Sequence, residues 1–313
     1  MAKIIGTGET VTDFIIRKGK PEEMVCGGSC YNSIISIGRC GISAVFIGEV
    51  GDDKLGLRTK AMLRENNVDD TFLTITPGKK SQLSLAFLNE RNDAEYAFYK
   101  DHAADIFPTK LPTVSNGDVL LYGSYYALNP TIHDALSRYL DQAKAADGII
   151  YYDINFRASH LAERELIMPS LIDNLGKATI VRGSHEDFLN LFDTDDTAQI
   201  YDKVSTYCPN LIITRGGTAI NLLTPSLRKD YAVQPTHVVS TVGAGDNFNA
   251  GIVCSIIANK IGKADIATLT EPQWDELIAT ATTFAQEVCG TTDNYISQAT
   301  GQRFKSRLLR TIS

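Results

Sequence analysis

At 313 residues, 43% of them hydrophobic and 21% charged, the chain suits one large α/β domain, or one domain with an added subdomain. A net charge of −7 argues against nucleic acid or an anionic membrane as partner, though not against a small anion held in a local cradle. No apolar run approaches the roughly 18 residues of a membrane span, and the first residues lack the basic start and apolar segment of a signal peptide, so a cytoplasmic protein is expected.

In chain order, Lys3 to Thr7 reads as a buried strand and Val11 to Ile16 as a more exposed one. Gly27-Gly28 breaks the chain; Ser29 is placed to cap a helix running to about Arg39, and Gly41 ends it. Ile42 to Ile47 is of strand type, and a helix follows over Lys54 to Asn66. From Thr71 to Tyr99 the character changes. Leu83, Leu85 and Phe87 alternate with Gln82, Ser84 and Ala86, the polar run Asn89 to Asp93 turns the chain, and Tyr96 and Phe98 follow, as in a hairpin flap with one wet face. Strands are then predicted at Val119–Tyr122, Ile149–Tyr152, Thr179–Val181 and Leu211–Thr214. Helices are predicted at Pro130–Ala145, Glu163–Leu175, Glu186–Phe192 and Thr197–Tyr207 between them, and a hairpin at Ala219–Leu223 with Tyr231–Val233. Trp274, Leu277, Ile278, Ala281, Phe284, Ala285 and Val288 keep helical spacing; nothing is assigned beyond Gly290. Repeated strand–helix units imply a mainly parallel sheet covered on both faces, with ligands beyond the carboxyl ends of its strands. That rule gathers Asp153, Arg182, Thr214 and Gly243 on one edge.

The stretch most suited to chemistry is Val238 to Gly251. A β-prone run meets Gly243-Ala244-Gly245, then Asp246, then an apolar run at helical spacing. Free amides at a helix start favour a bound anion, and the acid sits beside it: a phosphate cradle with a general base built in. A tight turn whose acid merely favours the helix N-terminus is the competing reading. A dinucleotide fingerprint is excluded because Phe248 stands where a third glycine is needed, and no Gly-Lys-Ser/Thr loop occurs. The six cysteines form no Cys-x-x-Cys and no paired histidines accompany them, which fits reduced thiols rather than a metal cluster.

Thr241 to Phe248 resembles the signature D-T-x-G-A-G-D-x-F of the PfkB (ribokinase-like) sugar kinases. Gly27-Gly28, Asn32 and Gly48-Glu49-Val50-Gly51-Asp52-Asp53 are similar, in order and spacing, to the N-terminal signature of that family, and the resemblance runs from about Ile4 to about Gly290. It implies a single ribokinase-like domain over 1–313, three-layer α/β/α, with a small β lid from segments near 9–28 and 70–101. It also implies ATP, Mg2+ and a carbohydrate acceptor. Asp246 would take the proton from the attacking hydroxyl, and the amides of Gly243, Ala244, Gly245 and Asp246 would hold the transferring phosphoryl group. Asp13, Gly28 and Asn32 would contact the sugar. Asp153-Ile154-Asn155-Phe156-Arg157 resembles the D-x-N-x-R of fructokinase-like and ketodeoxygluconate-kinase-like members. On an extended segment its polar side chains would share one face; Asn155 and Arg157 join the substrate side, Arg157 without a definite role. Where the family carries N-x-x-E to organise hydrated magnesium, this chain has Ser184 and Asp187 with Glu186 adjacent, so either acid is a candidate. Thr214-Arg215-Gly216 resembles the T-x-G bordering the nucleotide, and Gln286 falls near the adenine position. Ser240 replaces the signature's first aspartate, which weakens the expectation of a monovalent cation such as K+. Gly123-Ser124, Asp153-Asn155-Arg157 and Phe98-Tyr99-Lys100 lean toward fructokinase. Ketodeoxygluconate, ribose and nucleoside kinases remain alternatives, as does a non-catalytic sugar sensor. Exposed flap strands suggest a homodimer.

Overall fold

Two sheets organise the chain in a computed structural model that describes residues 2–88, 94–99 and 106–312. The strands are β1 (Ile4–Thr7), β2 (Val11–Arg17), β3 (Lys20–Gly27), β4 (Ala44–Gly51), β5 (Val68–Asp69), β6 (Leu73–Thr76), β7 (Leu83–Leu88), β8 (Ala94–Tyr99), β9 (Val119–Gly123), β10 (Ile149–Asp153), β11 (Ile180–Ser184), β12 (Leu211–Arg215), β13 (Ala219–Leu223) and β14 (Arg228–Ala232). The main sheet runs β14-β13-β12-β11-β10-β9-β1-β4-β5, with β6 also on β4; only the β12-β13 and β13-β14 pairs are antiparallel. The helices are α1 (Ser29–Arg39), α2 (Lys54–Glu65), α3 (Ser124–Leu128), α4 (Pro130–Ala145), α5 (Arg164–Lys177), α6 (His185–Phe192), α7 (Thr197–Val204), α8 (Ala244–Ala258), α9 (Glu271–Cys289) and α10 (Gln298–Ile312). Among the described residues no helix is long and apolar enough to cross a membrane.

Alternation along the strands builds the layers. Ile4, Leu121, Tyr151 and Ile212 pack with α1, α8 and α9 on one face, while their chain neighbours Ile5, Leu120, Tyr152 and Ile213 pack with α4 to α7 on the other. Both faces are buried, so these strands are apolar throughout, and each fully buried Leu or Ile contributes roughly 1.5–3 kcal/mol. The result is the expected three-layer α/β/α arrangement with a small second sheet.

The second sheet has the order β3-β2-β7-β8. Its β2–β3 hairpin turns on Lys18 and Gly19, both at positive φ (49° and 74°), as a two-residue type I′ loop requires. β3 has no counterpart in the predicted elements. Residues 73–76 pair with β4, so only β7 and β8 of the 70–101 segment belong to the small sheet; the Asn89–Asp93 turn and Lys100 lie outside the described residues. The faces of β7 are opposite to a hairpin packed on its apolar side. Ser84 and Ala86 are buried against the body of the protein, whereas Leu83 and Leu85 are half-exposed and Phe87 is 43% exposed. The inward face is mixed: Asp13 and Ser84 stand on it beside Ala86 and beside Val25 and Ile15, which pack with the core.

Three local expectations also change. Ser29 is the first residue of α1, not its cap; Gly28 holds the N-cap position. Val238-Val239 form no strand, and residues 233–243 are irregular. The extended run does not continue past Asp153: Asn155 adopts φ 40°, which ends the alternation and leaves Arg157 exposed while Asp153 is buried.

Candidate active site

Two helix N-termini meet at one carboxylate. Gly243, at φ 77°, turns the chain into α8; a β-carbon there would lie 2.8 Å from the Asn294 carbonyl oxygen, so only glycine fits the turn. Asp246 follows in the first turn. Its Oδ1 accepts from Ser29 Oγ at 2.8 Å and its Oδ2 from Asn32 Nδ2 at 2.8 Å, while Ser33 Oγ donates to its carbonyl at 2.8 Å. These three donors come from the first turns of α1, which starts where Gly28, at φ 127°, passes against the Glu9 carbonyl. Burial pushes the Asp246 carboxyl up to about 6; the bonds from Asn32 and Ser29 oppose that shift, Asp153 adds to it, and the Arg157 guanidinium opposes it.

The turn leaves amides free. Among the described residues the Ala244 N–H reaches the Thr241 carbonyl at 3.3 Å, while those of Gly245 and Asp246 take no hydrogen bond. Asn247 locks the turn from inside, donating to the Gly243 and Asn294 carbonyls at 2.8 Å each and accepting from Ser36 at 2.5 Å.

Beneath the turn lies a buried polar network from three strand ends. Arg182 donates to Asp153 Oδ1 at 3.0 Å and to Thr214 Oγ1 at 2.6 Å, and its guanidinium is about where a β-carbon on Gly245 would touch it, at 3.0 Å. Asn249, one turn along α8, donates to Asp153 Oδ2 at 2.8 Å and accepts from the Tyr151 hydroxyl at 3.0 Å. Burial alone would lower the Arg182 pKa, but the carboxylates of Asp153 and Asp187 hold it raised. Asp187 is buried in a capping box with Ser184, accepting from the Ser184 N–H at 2.6 Å; burial, then Asp153, push its carboxyl up to about 6 against the pull of Arg182. Glu186 points to solvent.

The remaining predicted residues are more dispersed. Asp13 stands on the inward face of β2: its Oδ1 accepts from Ser84, its Oδ2 lies beside Gly27, and burial raises its pKa. Gly216, at φ 56°, has open space around it. Gln286 is half-buried and donates to the Gln234 carbonyl at 2.9 Å, tying α9 to the irregular 233–243 segment. Ser240 accepts from the Val242 N–H at 3.2 Å. Ser29, Arg182, Asn249 and Asn294 enter the site without having been singled out for these contacts; each is defined by a partner far away in the chain.

Residues 1–299 match the family described as "pfkB family carbohydrate kinase". The chain belongs to that family. It is an ATP-dependent sugar kinase. It is similar to probable fructokinase-4 of Arabidopsis thaliana, at 27% identity over 253 residues, covering 78% of this chain and 77% of that one. A fructokinase of Rhizobium leguminosarum bv. trifolii is 28% identical over 281 residues, covering 86% and 84%. In fold it is similar to fructokinase from Vibrio cholerae O395 in its fructose, ADP and calcium-bound form (TM-score 0.83, 21% identity, 97% and 99% covered). Aminoimidazole riboside kinase from Salmonella enterica, complexed with aminoimidazole riboside and an ATP analogue, gives a TM-score of 0.81 at 20% identity, with 99% and 100% covered.

Proposed function

We propose that this sugar kinase transfers the γ-phosphoryl group of ATP to a hydroxyl of fructose, with Asp246 as general base and the Gly243–Asp246 turn as anion hole. The observation that carries the reading is the Asp246 carboxylate, fixed by Ser29 and Asn32 and pushed up to about 6, next to the free amides of Gly245 and Asp246. A base with a pKa near 6 is ionised at neutral pH yet remains a competent proton acceptor. The amides, the positive ends of α1 and α8, and the Arg182 guanidinium under Gly245 together favour the charge that grows on a transferring phosphoryl group.

Asp13, Gly28 and Asn32 form the sugar side, with Asn155 and Arg157 at its margin. Ser184, Thr214, Gly216 and Gln286 border the nucleotide side, where exposed Val238, Val239 and Val242 offer an apolar surface for a base. The residues fit magnesium held mostly through water. Burial and the neighbouring Asp153 carboxylate resist ionisation of Asp187, which a cation would favour, and among the described residues no group of three or more potential ligands is present. Asp187, rather than the outward Glu186, is the acid nearest the network. Magnesium would supply charge neutralisation on the phosphates. Ser240 removes a carboxylate from the place where relatives hold a monovalent cation, so activation by K+ is expected to be weak.

The outer face of the small sheet presents Phe14, Ile16, Met24, Leu85, Phe87 and Tyr99, partly or well exposed, which supports a homodimer through that face. All six cysteines are unpaired, which supports a reducing, cytoplasmic location. The test is ADP release across fructose, ribose, 2-keto-3-deoxygluconate and adenosine. The highest kcat/KM is expected with fructose. Thermal stabilisation by a sugar with no ADP release from any would instead identify a sensor.

A further inference from the structure

Gly27 marks the point where three side chains from distant parts of the chain converge. A β-carbon there would lie 3.3 Å from Asp13 Oδ2, 3.4 Å from Asn294 Nδ2 and 3.7 Å from Asn32 Oδ1. Asp13 and Asn32 are candidate sugar contacts already; Asn294 is not. It lies between α9 and α10, is only 5% exposed, and its backbone carbonyl packs on Gly243 and accepts from Asn247 at 2.8 Å. Its main chain is therefore fixed to the turn that carries Asp246.

The side chain is different. Among the described residues the Asn294 amide takes no hydrogen bond, and its polar atoms are not sealed from solvent. Asn32 Oδ1, which faces the same space, is also without a partner among the described residues. Buried amides are almost always paired, so one left open beside Gly27 takes its partner from what enters that space. The three atoms are chemically complementary to a sugar hydroxyl: Asn294 Nδ2 can only donate, whereas Asp13 Oδ2 and Asn32 Oδ1 accept. A hydroxyl there donates to the carboxylate and accepts from the amide at once.

We propose that Asn294 is a sugar-binding, specificity-determining residue, donating from Nδ2 to an acceptor hydroxyl that also bonds Asp13. The proposal rests on the reading that places the sugar beside Asp246. Gly27 is then glycine because any side chain would occupy the hydroxyl's place; its φ is not in the left-handed region, so the constraint is space rather than backbone strain.

The test uses the full chain, the best acceptor among fructose, ribose, 2-keto-3-deoxygluconate and adenosine, and the monodeoxy forms of that acceptor. Asn294→Ala removes no internal hydrogen bond and so should keep the wild-type Tm and the KM for ATP. It should raise the acceptor KM, and the Kd by calorimetry with a non-hydrolysable ATP analogue, about five- to ten-fold. One monodeoxy acceptor should bind wild type and variant equally. Gly27→Ala should weaken acceptor binding at least as much, again with ATP unaffected. An unchanged acceptor KM in either variant overturns the proposal, as does an equal loss across every monodeoxy form or a rise in both KM values with a fall in Tm. If wild type turns over and binds none of the four acceptors, the placement of the sugar fails first and this contact falls with it; if wild type is active and Asn294→Ala matches it, the contact alone is wrong.

Discussion

At the scale of single residues, what surrounds Asp246 sets its chemistry. Burial raises its pKa to about 6 and the bonds from Asn32 and Ser29 hold it from rising further. A base works ionised, so kcat/KM should fall with unit slope below about pH 6 and level off above it. Asn32→Ala removes a bond that favours the charged form, so its acid limb should move to higher pH. A pH–rate profile at fixed ATP measures both; an acid limb that stays in place in the variant would separate the limb from Asp246. The sequence made Asp246 legible because the turn, the acid and the following helix are contiguous. Ser29 and Asn294 were not legible in their roles. Ser29 meets Asp246 across 217 positions, and its residue type at a helix start points equally to a cap. Asn294 falls in a polar stretch with no periodicity, and only the packing against Gly243 gives it a location.

At the scale of elements, the site depends on strand ends being held together under α8. β10 supplies Asp153, β11 Arg182 and β12 Thr214, and α8 closes the network through Asn249. Arg182 is a buried cation whose loss leaves the buried Asp153 without its counter-charge. Arg182→Met should therefore destabilise the protein by about 3–5 kcal/mol, and adding Asp153→Asn should recover much of that. Equilibrium denaturation in urea checks both; a loss below about 1 kcal/mol in the single variant would mean that the pair is not holding the strand ends. The parallel strands and their helices were readable because both periodicities are strong: β10, α4 and α9 appear close to their predicted bounds. β3 was not, because Lys20, Pro21, Glu22 and Glu23 are poor strand formers and its hairpin turns on Lys-Gly instead of Asn-Gly. α10 was missed because its apolar residues are few, Phe304 packing on Phe284 at 5.7 Å being one of its anchors. The residues after Asp153 misled because alternation in sequence is no guarantee of extended backbone, and Asn155 tolerates the left-handed conformation that ends it.

At the scale of the whole molecule, the small sheet turns Asp13 and Ser84 inward beside Ile15, Val25 and Ala86, and turns Phe14, Ile16, Leu85 and Phe87 outward. That arrangement suits a surface whose inner side meets a hydrophilic ligand and whose outer side meets a second copy. Sedimentation equilibrium should give twice the chain mass, and Phe87→Lys, which places a charge on the outer face away from Asp13 and Ser84, should give the monomer. A wild-type monomer at micromolar concentration would remove the dimer. The main sheet, in contrast, is already complete in one chain, because both of its faces are covered by the chain's own helices.

Asp246 is the proposed base at the meeting point of donor and acceptor. Asparagine at this position keeps the size of the side chain, and since ionisation of a group with a raised pKa opposes folding above about pH 6, Asp246→Asn should not lower Tm at neutral pH. The decisive measurement is single-turnover ADP formation by this variant with saturating acceptor, alongside calorimetric ATP binding. ATP binding should stay within a few-fold of wild type and the rate should fall by about 10²–10⁴-fold. Near-wild-type turnover in a folded, ATP-binding Asp246→Asn protein would contradict it.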